Sequence, residues 1–138
     1  MARQQGLKWI LAATMGLPLM ASAAGLDPAV LMQARTAAAH AGMAIGAPNI
    51  AGVHLHLHHV LNCLVGPGGA GFDANVLDPC KGMGTGAIRD AAGNPAAEAL
   101  LHKAAAEAMR GEQSRTLAAA RADAKKALAL LSQLGRDT

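Results

Sequence analysis

The chain has 138 residues, 52% of them hydrophobic, with a formal charge of +3 and only one Trp, one Phe and no Tyr. That is enough for one modest domain without an aromatic core, and it leaves no aromatic platform on which nucleic-acid bases could stack. Loss of residues 1–23, with Arg3 and Lys8, would take the charge from +3 to +1, so no polybasic nucleic-acid surface is expected.

Residues 1–23 read as a secretory signal peptide. Arg3 and Lys8 give a basic start, Trp9 to Met20 is an apolar run of 12 residues, and Ala21-Ser22-Ala23 has the small-x-small pattern of a cleavage site. The run is shorter than the roughly 20 residues a membrane-spanning helix needs, so stable membrane insertion after cleavage is not expected. No Cys follows the cleavage site and Arg3 has no twin, which points away from lipid anchoring and from twin-Arg export. The expected product is a single helical domain, residues 24–138, in a bacterial periplasm or outside the cell. In such an oxidising compartment Cys63 and Cys80 are expected to form a disulfide. Closing a loop of about 18 residues would stabilise the fold by roughly 3 kcal/mol on the chain-entropy view. The two cysteines have neither CxxC spacing nor the CxxCH of covalent haem attachment.

Along the mature chain the first helix is expected from Pro28 to Ala44. Asp27 is placed to cap it, Pro28 suits its first turn, and Val30, Ala34, Ala37, Ala41 and Ile45 recur at helical spacing. Gly46-Ala47-Pro48 breaks this pattern. Asn49 then caps a second helix, Ile50 to Val65, whose apolar stripe runs through Val53, Leu57, Val60, Leu61 and Leu64. From Gly66 to Pro95 the sequence holds eight glycines and three prolines, a composition that predicts a long loop without helix. Phe72, Val76, Leu77 and Ile88 are the side chains expected to tuck it onto the helices. Gly82-Met83-Gly84-Thr85-Gly86 lacks the Gly-Lys-Ser/Thr ending of a phosphate-binding loop. A third helix is expected from Pro95 to about Arg110, interrupted at Gly111, and a fourth from Glu112 or Ser114 to Gly135. Leu117, Ala120, Ala124, Leu128 and Leu131 would form the buried face of the fourth. The predicted fold is all-α: an up-down four-helix bundle with a Gly-rich, disulfide-tethered loop between helices two and three.

The chemical feature of the sequence is Val53-His54-Leu55-His56-Leu57-His58-His59-Val60, which holds four of six histidines. Imidazole is the commonest metal donor near neutral pH. At about 100° per residue, His54 and His58 fall on one flank of the apolar stripe, and His56, His59 and Cys63 on the other. Two donor pairs result, and a tetrahedral site needs further ligands from elsewhere. In an antiparallel hairpin about the turn at 46–49, His40 comes level with positions near 55, beside His54 or His56. His102 is a further donor on helix three. Met32, Met43, Met83 and Met109 are soft donors suited to copper, although methionine at helical spacing also serves as core filler.

The stretch from His40-Ala41 through His54, His58 and Leu61, with its Ala-rich helices and exported leader, resembles the small periplasmic metal-binding proteins of bacteria. The likeness covers residues 34–64 and implies His40, His54 and His58 as ligands, with no enzymatic role. In contrast to that pattern, the last hairpin carries only His102, and the loop with Cys63 and Cys80 has no counterpart.

The expected site is therefore His40, His54, His56, His58 and His59, binding or buffering a divalent transition metal, copper or zinc, with nickel also admitted by the ligand type. The competing expectation is a metal-free interaction module whose loop and histidine face meet an envelope protein. No enzyme is expected: Ser114 and Ser132 lack an orienting base, Cys63 is oxidised, and Asp73, Asp78 and Asp90 fall in the loop.

Overall fold

A computed structural model describes residues 25–134 and 136; the expected signal peptide lies outside these residues. Among them there is no strand. Five helices pack together: α1 (Pro28–Gly46), α2 (Ile50–Val65), the short α3 (Ala87–Asp90), α4 (Pro95–Gln113) and α5 (Leu117–Leu134). α1 and α4 each lie against both α2 and α5, while α3 sits against α1, α2 and α4.

The helix starts follow local chemistry. Asp27 Oδ1 accepts from Ala29 N–H at 2.7 Å, Asn49 Oδ1 from Gly52 N–H at 2.9 Å, and Asn94 Oδ1 from Ala97 N–H at 3.1 Å. Pro28 and Pro95 occupy first-turn positions, where a missing N–H forfeits no helical bond. Each such cap contributes about 1 kcal/mol. Before α5, Thr116 Oγ1 accepts from Ala119 N–H at 3.2 Å, so α5 begins at Leu117 rather than at Glu112 or Ser114.

The core is built mainly from alanine. Ala34, Ala37, Ala41 and Ala44 of α1, Ala104 and Ala108 of α4, and Ala120, Ala124 and Ala127 of α5 surround Val53, Leu57, Val60, Leu61 and Leu64 of α2. Small side chains let helix axes approach closely. On α5, Leu117 and Leu128 only border the core, and Ala127 and Asp123 are buried beside the expected positions.

Gly111 shows why a glycine expected to break a helix stays inside one. It is buried, and a Cβ there would lie 2.5 Å from Leu57 Cδ1 and 3.3 Å from the Ala120 carbonyl oxygen. The roughly 1 kcal/mol that glycine costs a helix is offset by this three-helix approach, and α4 continues to Gln113. α1 likewise runs two residues past Ala44, to Gly46.

The segment expected to lack helix contains α3. Cys80, Ala87 and Ala91 carry it into the core, and two buried amides fix its main chain. Asn62, fully buried, donates through Nδ2 to the carbonyls of Asp73 at 3.0 Å and Val76 at 3.2 Å and accepts from Asp73 N–H at 3.0 Å. Gln33, also buried, donates to Asp90 Oδ2 at 2.7 Å and accepts from Gly86 N–H at 3.0 Å. Burial alone would raise the Asp90 pKa, but hydrogen bonds from Thr85 and Gln33 and the charge of Arg89 bring it below the ordinary value. A disulfide joins Cys63 to Cys80 with Cα atoms 5.1 Å apart. Gly66, at φ +64°, turns the chain out of α2 where a side chain would strike the Thr85 backbone. Leu77, expected to tuck inward, is 67% exposed, because Asn62 fixes this loop through main-chain groups. Phe72 and Val76 are half-buried, and Ile88 packs at the core edge.

Candidate metal centre

α2 presents its histidines to two different neighbours. The 3.6-residue period turns His56 and His59 toward α1 and His54 and His58 toward α4, as the spacing predicts. The environments they meet are chemically unlike.

On the α1 side three imidazoles converge. α1 and α2 are joined by residues 47–49, so His40 comes level with His56, and His59 reaches it from one turn further along. His40 Nδ1 lies 3.4 Å from His56 Nδ1 and 3.2 Å from His59 Nδ1. The ring centroids are 5.6 Å apart for His40 and His56, 4.8 Å for His40 and His59, and 5.6 Å for His56 and His59. His59 is buried, whereas His40 and His56 keep an exposed edge. No carboxylate or thiolate joins this set among the described residues.

Two consequences follow from that composition. Burial, and then the neighbouring His56, lowers the pKa of His40; burial, then His40, His56 and His58, lowers that of His59. Both rings are thereby favoured in the neutral form, with lone pairs available. In addition, a neutral Nδ1 carries either one proton or one lone pair. His40 Nδ1 faces two other Nδ1 atoms, so one hydrogen bond cannot satisfy both contacts fully. A cation at their centre would be attracted by all three lone pairs.

On the α4 side each imidazole meets oxygen. His54 Nε2 is 3.0 Å from the Ser114 carbonyl oxygen, an acceptor only, so Nε2 carries the proton. His58 Nδ1 contacts Glu112 Oε1, and its Nε2 is buried without a hydrogen-bond partner. The pair His54 and His58, grouped as one chelating flank and named as ligands by the family resemblance, thus ties α2 to α4 and the turn after it. Glu112 is the residue of this side that the sequence reading did not single out as a partner; there it marks only a candidate start of the fourth helix.

The remaining expected donors lie elsewhere. His102 is exposed on α4. Met32, Met43 and Met109 are 47%, 50% and 40% exposed, and Met83 packs at the core edge, with Thr36 Oγ1 3.6 Å from its sulfur. Cys63, Asp78 and Cys80 are close enough together to suggest ligands, but the sulfurs are bonded to each other and offer no thiolate. Asp78 Oδ1 accepts from Cys80 N–H at 2.9 Å, a local turn contact. Comparison with protein-family models, with curated proteins and with solved structures finds no match for this chain.

Proposed function

We propose that this protein binds one transition-metal ion through the Nδ1 atoms of His40, His56 and His59, in an exported helical domain of the bacterial envelope. One observation carries the reading: the spacing of the nitrogens. Metal–nitrogen bonds of about 2.0–2.1 Å in tetrahedral array place donor atoms about 3.3–3.4 Å apart. The separations of 3.2 and 3.4 Å at His40 match that edge. Imidazole donors of this kind suit zinc, copper and nickel alike.

The scaffold we propose is the up-down four-helix bundle, with α3 and the disulfide-linked segment as an appendage. The neighbour relations of α1, α2, α4 and α5 support it. Export is supported by the leader sequence and by the disulfide, which persists in oxidising compartments. No described helix is long and apolar enough to cross a membrane. A second reading, a metal-free module that docks an envelope protein, is favoured by Leu77, exposed on a loop that Asn62 holds in place.

Zn²⁺ titration by calorimetry on single variants tests the first reading. His40→Ala, His56→Ala and His59→Ala should each weaken binding by more than the about 10- to 100-fold typical of losing an outer-shell partner. His54→Ala should leave it near wild type. Equal affinity in His40→Ala overturns the assignment.

A further inference from the structure

Three protein donors do not complete a tetrahedron. We infer that an ion held by His40, His56 and His59 keeps a fourth position open to solvent and binds a small anion there. The inference rests on the metal-binding reading above and deepens it by naming the exogenous ligand.

The donor set is the first reason. His40, His56 and His59 are grouped with no fourth His, Cys, Asp or Glu among the described residues. Of the two nearest histidines of α2, His54 binds the Ser114 carbonyl through Nε2 and His58 binds Glu112 through Nδ1; the free His58 Nε2 is buried and lies outside the group of converging nitrogens. Structural zinc sites are closed by four protein ligands, whereas three protein ligands leave a place for water or another small molecule.

Access and charge supply the others. His59 forms the buried floor, and His40 and His56 are half-buried on adjoining helices, so the unfilled direction lies on the exposed side of the pair. Three neutral imidazoles leave a divalent ion's positive charge uncompensated, and a bound ion is then the largest local charge in its site. A monoanion that displaces water gains that attraction, while a bulky ligand is hindered by the closely approaching rods of α1 and α2.

Cobalt substitution separates this inference from the reading beneath it. The full-length, disulfide-intact protein is titrated with Co²⁺ in chloride-free buffer, and its visible absorption is followed as azide is added. The expected result is one Co²⁺ per chain with the intense bands of a four-coordinate ion, then a saturable, one-to-one shift of those bands with azide. His102→Ala should behave as wild type, and His40→Ala should lose the bands. One Co²⁺ bound with bands that azide leaves unmoved would overturn the open position while keeping the metal site. Absence of Co²⁺ binding, or bands that persist in His40→Ala, would overturn both.

Discussion

The two flanks of α2 carry the same residue type and do different work. Toward α1, His56 and His59 meet only another imidazole, His40, so their nitrogens face lone pairs or protons of equal kind. Toward α4, His54 and His58 meet a carbonyl and a carboxylate, which absorb an N–H directly. A histidine facing oxygen is a tether between helices, while histidines facing one another could hold a cation, as we propose. The partner's chemistry, rather than the clustering of histidines in sequence, separates ligand from brace.

The largest effect expected from this contrast is metal-dependent stability on one flank alone. Zn²⁺ at a hundredfold excess over its dissociation constant should stabilise the wild type by about 2.7 kcal/mol, and denaturant unfolding should show no such gain in His40→Ala. Glu112→Ala probes the other flank. It removes the partner of His58 Nδ1, and a hydrogen bond to a charged group contributes about 1.5–3 kcal/mol, toward the lower figure for this part-buried pair; chemical denaturation should show that loss with Zn²⁺ affinity retained. A smaller change, about 1 kcal/mol, is expected for His54→Ala through loss of its bond to Ser114. If either α4-side variant abolished Zn²⁺ binding while remaining folded, the division between the flanks would collapse.

The gentlest test is pH. Burial first, and neighbouring imidazoles second, lower the pKa values of His40 and His59 from 6.5 in the folded protein. As pH falls, the unfolded chain takes up protons before the folded one, so stability falls with it. The metal-free protein should therefore keep its full contribution above about pH 6.5, lose it across the interval down to the lowered folded values, and level off below. Thermal melts of metal-free wild type and of His40→Ala, compared between neutral and mildly acidic buffer, measure the difference. A steeper acid loss in the variant would contradict the assignment.

Much of this arrangement is legible in the residues. Asn49 and the stripe from Val53 to Leu64 mark both ends of α2, and helical angles separate His56 and His59 from His54 and His58. The short connection between α1 and α2 brings His40 level with either His54 or His56, and the packing of the two helices selects His56. What lies beyond reach is nonlocal. Gly111 has the same propensity whether it ends a helix or admits Leu57 and Asp123 at close range, and only the neighbours decide. Asn62 and Gln33 look like ordinary polar residues in helices, yet each holds a distant segment through main-chain hydrogen bonds. Glu112 becomes meaningful only once α4 is placed against α2.

The buried alanines of α1, among them Ala37, Ala41 and Ala44, act in effect as a caliper. Distances between packed helix axes vary over about 8–10 Å with the size of the side chains in between, and an imidazole is too short to make up a wide gap. Enlarging one of these methyl groups would open the jaws that hold His40 against its two counterparts, so the affinity of the proposed metal site would change without any of its histidines being altered. In this protein the dullest residues of the sequence set the spacing of its three converging imidazoles.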